Sequence, residues 1–94
     1  MDDVAERLCA LYTEPFGGKD TGRYRIATKL VRKLAGRRRL YEDDIQALSR
    51  SMLERGYVLI DMDAFFVVLS VGTFGNYRRA NEESLDPAYG KKEL

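Results

Sequence analysis

Ninety-four residues make one small domain, able to bury a single modest core. The chain is 45% apolar and 33% charged, as folded soluble domains are, and no apolar run approaches the ~20 residues of a membrane helix. The net charge of +1 hides a strong asymmetry: residues 18–39 carry nine Lys or Arg against Asp20 alone, while residues 1–17 and 40–64 are both net acidic.

Residues 3–13 are expected to form a helix, because Val4, Leu8, Leu11 and Tyr12 fall on one stripe. Asp2 or Asp3 can cap it, and Pro15 stops it. Phe16 to Gly22 holds three glycines and reads as a flexible loop. A glycine-rich loop can cradle phosphate, but a P-loop needs Ser or Thr after its Gly-Lys, and here Gly18-Lys19 meets Asp20. A nucleotide site is therefore not expected there. Arg23-Tyr-Arg-Ile26 alternates polar and apolar residues, as a short strand with Tyr24 and Ile26 inward would.

Thr28 is the expected N-cap of a second helix, with Leu30, Val31 and Leu34 as its buried stripe and Gly36 as its left-handed stop. Arg37-Arg38-Arg39 forms a turn. Leu40 can then staple onto a third helix, whose first turn holds Glu42, Asp43 and Asp44 where the macrodipole favours them. Ile45, Leu48, Met52 and Leu53 give that helix its apolar stripe, and Gly56 ends it. Tyr57–Ile60 and Phe65–Leu69 are strands joined through Asp61-Met-Asp-Ala64. They are more apolar than a one-faced sheet requires, which suggests cover from a partner chain or from the C-terminal segment. A single domain is expected over residues 1–79, with a loose polar tail over 80–94 that includes Pro87 and Gly90.

The absence of histidine and the lone Cys9 all but exclude a zinc site and preclude a Ser-His or Cys-His nucleophile pair. Cys9 is expected as a small buried apolar residue. Asp61 and Asp63 flank a turn, where Asp is favoured for its backbone hydrogen bonds, and are weak candidates for a cation. No catalysis, metal or cofactor is expected. The acidic Met1-Asp2-Asp3 start lacks the basic residues of a signal peptide, so a cytoplasmic location is the expectation. Gly72-x-x-Gly75 matches a bare KH-type loop but follows a strand and carries no cation; Tyr77-Arg78-Arg79 reads as an exposed loop.

Leu30-Val-Arg-Lys-Leu-Ala-Gly36, Ile45-Gln-Ala-Leu48 and Met52-Leu-Glu-Arg-Gly56-Tyr-Val-Leu-Ile60 together resemble the winged helix-turn-helix superfamily over residues 23–70. The resemblance implies an α+β fold of three helices, a small antiparallel sheet and a C-terminal hairpin. It also implies nucleic-acid binding, to duplex DNA, with the helix of residues 41–55 in the major groove. The acidic start of that helix is a poor reading surface, which leaves Gln46, Ser49 and Arg50 for base or backbone contacts. The cations Arg23, Arg25, Lys29, Arg32, Lys33, Arg37, Arg38 and Arg39 are expected to meet phosphates, giving affinity and register without sequence information. Ion pairing of Arg37–Arg39 with Glu42, Asp43 and Asp44 would neutralise that patch. The domain would then be a protein-interaction module facing its partner through the acidic helix start and the hairpin. A homodimer through the hairpin and the Val4-Leu8-Leu11 helix is also expected.

Overall fold

A computed structural model describes residues 1–86 of the chain. Among them, the order is α1 (Asp2–Leu11), β1 (Tyr24–Ala27), α2 (Thr28–Ala35), α3 (Glu42–Glu54), β2 (Tyr57–Asp61), β3 (Phe65–Ser70), a 3₁₀ turn (Val71–Phe74) and α4 (Glu82–Leu85). This is an α+β architecture with one antiparallel sheet in the order β1-β3-β2. No helix of the described residues is long and apolar enough to cross a membrane.

β3 is the central strand, and its register sets the two faces of the sheet. Tyr24, Val68 and Leu59 lie in one row across the three strands. Side chains alternate along a strand, so this row and Phe66 turn toward the helices, where all four are buried. Val4, Ala5, Leu8 and Cys9 of α1, Val31 of α2 and Leu48 and Met52 of α3 complete the core. The opposite face carries Val58, Ile60, Phe65, Val67 and Leu69, all partly accessible.

Helix α1 is pinned to its neighbours by two polar contacts. The buried Tyr24 hydroxyl donates to the Leu8 carbonyl, one of the last four carbonyls of α1 that lack a full complement of helical partners. Ser51, buried in α3, donates to Asp2 Oδ1 at 2.7 Å and accepts from Arg55 Nη1 at 2.6 Å. The Ser51 hydrogen bond holds the Asp2 carboxyl below its ordinary range. Val4 and Leu8 lie inside this core and Leu11 packs against it, so the expected dimer stripe of α1 is used internally.

Three local expectations change. Thr28 is the first residue of α2, not its cap. Its hydroxyl donates to the Asp63 carbonyl at 2.6 Å and its N–H to the Ala64 carbonyl at 3.0 Å, which fastens α2 to the β2–β3 turn. Leu30 and Leu34 are not buried: they stand 48% and 42% exposed beside a fully buried Val31. Both fall to one side of Val31, about 100° and 60° round the helix, and an eight-residue helix meets α1 and the sheet along a narrow strip only. Leu53 is 58% exposed because it lies about 140° from Leu48, beyond the strip that α1 and β2 cover. Gly36 ends α2 at φ 69° and Gly56 follows α3 at φ 88°, the left-handed conformation expected at both. Residues 81–86 of the expected tail contain α4, whose Asn81 Oδ1 accepts from the Ser84 N–H. Pro87 and Gly90 lie outside the described residues.

Replacing Tyr24 with Phe strands a buried carbonyl and should cost about 1–3 kcal/mol in urea unfolding. Burial raises the Tyr24 pKa in the folded state. Its contribution is therefore fully present below about pH 10, where unfolded tyrosine ionises, and is lost as the pH rises further. The Phe variant should show a flatter decline in stability between pH 9 and 11, followed by chemical denaturation at each pH.

Candidate nucleic-acid interface

The Arg37–Arg39 turn exists because two helix ends meet there. Gly36 closes α2, and its neighbour Arg37 donates its N–H back to the Arg32 carbonyl at 2.9 Å. Three residues later Leu40 packs on the core, as does Ile45 in the first turn of α3, so the entry of α3 is stapled. The Tyr41 N–H donates to Asp44 Oδ2 at 3.0 Å, half of a capping box. Glu42, Asp43 and Asp44 thus sit at the positive end of the α3 macrodipole.

The basic residues are only slightly neutralised. Arg37 pairs with Asp44 at 2.5 Å. Among the described residues, Arg38, Arg39, Lys29, Arg32 and Lys33 have no carboxylate within ion-pair distance. Lys29 and Lys33 stand about 160° from Val31 on α2, on its outward side, and both are exposed, as are Arg38 and Arg39. Arg32 is half-buried on the flank opposite Leu30. Cations and leucines therefore share the uncovered surface of α2.

Gln46 and Arg50 are both exposed, one turn apart on the outward face of α3. Asp43, Glu42 and Glu54 share that exposed surface, so it is net negative. Ser49 is half-buried, in a shallow groove with Leu53 and Val58 between α3 and β2.

Arg23 and Arg25 fall in a different place. They line a cleft of about 480 Å³ with the loop that follows α1. From there the chain passes through β1 and the eight residues of α2, about 12 Å of helix, before it reaches Arg37. Of the predicted basic group, Arg23 and Arg25 line this cleft, and Lys29, Arg32, Lys33 and Arg37–Arg39 do not. The loop is closed by backbone hydrogen bonds: Gly17 and Gly18, at φ 60° and 82°, form a tight reversal of type I′ character that pairs Phe16 with Lys19. The Gly22 N–H donates to the Tyr12 carbonyl at 2.9 Å. Lys19, Phe16 and Thr21 join Arg23 and Arg25 around the cleft. Sequence reasoning missed these three; the signal was Gly-Gly between residues able to pair, a hairpin signature.

The remaining candidates have structural roles. Asp61 Oδ1 accepts from the Asp63 N–H at 2.8 Å, and Asp63 adopts φ 70°, so this pair shapes the β2–β3 turn. Cys9 is buried, and burial pushes its thiol pKa up. Tyr77 is exposed, packed edge-on against Phe74 at 5.1 Å. No protein-family model matches the chain, and no curated protein or solved structure matches it either.

Asp44 serves both the α3 cap and the Arg37 pair, whereas Arg37 serves only the pair. Arg37→Ala should therefore cost about 0–1 kcal/mol, as half-exposed ion pairs do. Asp44→Ala should cost about 1–2 kcal/mol, with the excess read from the difference in urea midpoints.

Proposed function

We propose that this chain is a non-catalytic nucleic-acid-binding domain of winged helix-turn-helix type, gripping the duplex backbone through α2 and the Arg37–Arg39 turn. The element order and the β1-β3-β2 sheet support the winged-helix reading, with the short Asp61–Ala64 turn as the wing. The observation that carries the binding reading is that Lys29, Lys33, Arg38 and Arg39, four exposed cations on consecutive elements, have no carboxylate partner among the described residues. Each can replace a condensed counterion on a phosphate. In this mode α3 does not read bases with its first turn, because Glu42 and Asp43 repel phosphate. Gln46 and Arg50, further along, are its polar contacts.

A protein partner is the second reading, favoured by a specific observation. Leu30 and Leu34 form an exposed pair one turn apart, and the outer sheet face presents Ile60 and its apolar neighbours. Single exposed leucines are ordinary, but a pair one turn apart and a partly accessible apolar sheet face are features of contact surfaces.

Binding of a labelled duplex should weaken with salt along a slope near −4 in log–log form, from ~0.9 per cation. Arg38→Ala and Arg39→Ala should each reduce the slope by about one, and Arg37→Ala by less, because its charge is partly spent on Asp44. Asp44→Asn releases Arg37 and should tighten binding a few-fold at low salt. A salt-independent response, or unchanged affinity in the Arg38→Ala/Arg39→Ala double variant, would leave the protein-partner reading in place.

A further inference from the structure

We propose that the cleft between the 16–22 loop and β1, where the missing P-loop motif gave no expectation of a nucleotide, is a binding site for one phosphorylated nucleoside unit, separate from the basic turn. Three cations border it, Lys19, Arg23 and Arg25, and among the described residues none of them has a carboxylate partner. The one acid in the lining, Glu14, is already taken: its carboxylate receives Arg7 at 2.6 and 3.5 Å. The cleft lining is therefore net positive, and exposed Asp20 of the same loop is not part of it. Lys19 and Arg23 supply the donors that phosphate oxygens select, while the Arg25 guanidinium lies over the Phe65 ring and adds charge at the rim.

The aromatic content narrows the ligand class. Phe16 is 43% exposed at the cleft, held edge-on against Tyr24 at 5.3 Å between ring centres. That contact leaves ring surface available, and a base can stack there without sequence preference. Thr21 adds a hydroxyl to the lining. At about 480 Å³, the space falls within the range of small-ligand sites. Sulfate-like anions would use the cations alone. A nucleotide would use both features, and this is what singles it out.

The site is also built before the ligand arrives. The Phe16–Lys19 pairing and the Gly22 to Tyr12 bond fix the loop. Arg25 is held with its guanidinium carbon 5.5 Å from the Phe65 ring centre, on the outer face of the sheet. The loop backbone is thus in place before binding, and the ordering that remains is that of the Lys19 and Arg23 side chains. The phosphorylated unit can come from a free mononucleotide or from a nucleotide of a single strand, and the two share the same chemistry.

The test is titration calorimetry on the full chain with four probes: adenosine 5′-monophosphate, adenosine, inorganic phosphate and a ten-nucleotide oligothymidylate. The monophosphate should bind, and both adenosine and phosphate should bind at least tenfold more weakly. Lys19→Gln with Arg23→Gln should cost about tenfold per cation. Phe16→Leu should weaken the monophosphate while leaving phosphate unchanged. All three positions are exposed, and circular dichroism checks that each variant folds. Oligonucleotide binding tighter than the monophosphate, and lost in the same variants, identifies the single strand as the source; equal or weaker binding identifies the free nucleotide. The Arg38→Ala/Arg39→Ala variant should keep full monophosphate affinity, so failure of the duplex reading and failure of this site are read separately. The proposal is overturned if neither the monophosphate nor the oligonucleotide binds. It is equally overturned if phosphate binds as tightly as the monophosphate, or if the Lys19/Arg23 variant binds undiminished.

Discussion

The structure depends on β3 being inserted between two strands that come earlier in the chain. Neither β1 nor β2 has another partner in the sheet, so both wait for the last strand. Once β3 is in place, Phe66 and Val68 become fully buried, and α1, α2 and α3 have a common surface to close upon. The row Tyr24, Val68, Leu59 is where the long-range order is fixed, and the Tyr24 hydroxyl extends it to α1. A one-residue slip of β3 would turn Phe66 and Val68 outward and bring Phe65 and Val67 in. Both sets are apolar, so hydrophobicity alone specifies the register weakly. The hydrogen bonds from Thr28 to the Asp63 and Ala64 backbone oppose that slip, because they tie the turn before β3 to the helix after β1.

A core this small decides the surface as much as the interior. Helix α2 has eight residues and only Val31 is fully buried, so most of its circumference must face water. Its cations remain solvated there at little cost, and desolvation falls instead on the few polar groups taken inside. Ser51 and Tyr24 are such groups, and each has a partner within hydrogen-bond distance. Among the described residues, no buried side-chain polar atom is left without one. The charge pattern of the surface is therefore free of structural obligation at Lys29, Lys33, Arg38 and Arg39, while Arg37 and Arg7 are tied to acids.

Periodicity made the elements legible. Val4 and Leu8, Leu48 and Met52, and the alternation through Tyr24 and Ile26 all marked faces that the core uses. The misplaced residues, Leu30, Leu34 and Leu53, share one cause. A stripe drawn on a helical wheel assumes a broad partner surface, and in a small domain both the short α2 and the longer α3 meet a narrow one. The candidate site was legible as a count of cations but not as a place. Sequence order puts Arg23 and Arg25 beside Lys29, yet the fold sends the first two to the loop after α1. The Gly17-Gly18 reversal that builds that cleft is a two-residue signal, and its consequence depends on Phe16 and Lys19 pairing across it. The Arg37–Asp44 contact was open at the level of sequence because three arginines and three acids flank Leu40 and Tyr41. Helix geometry resolves it: Asp44, third in α3, reaches back over the entry, where both the Tyr41 N–H and Arg37 lie.

The acids that open α3 illustrate how a folding demand constrains function. Carboxylates in a first helical turn stabilise it by about 0.3–1 kcal/mol each, and Asp44 adds a capping bond. Their presence is thus explained without any partner. Removing them to make a better groove-reading surface would weaken the entry to the longest helix of the domain, whose Leu48 and Met52 are fully buried. Placing cations on α2 and the turn instead puts them where no buried contact depends on them. The same logic holds at the loop cleft, where Lys19 and Arg23 are exposed and Glu14 is occupied by Arg7. In both places the positive surface is built from residues the core does not need, and that is why it can be altered without unfolding the chain.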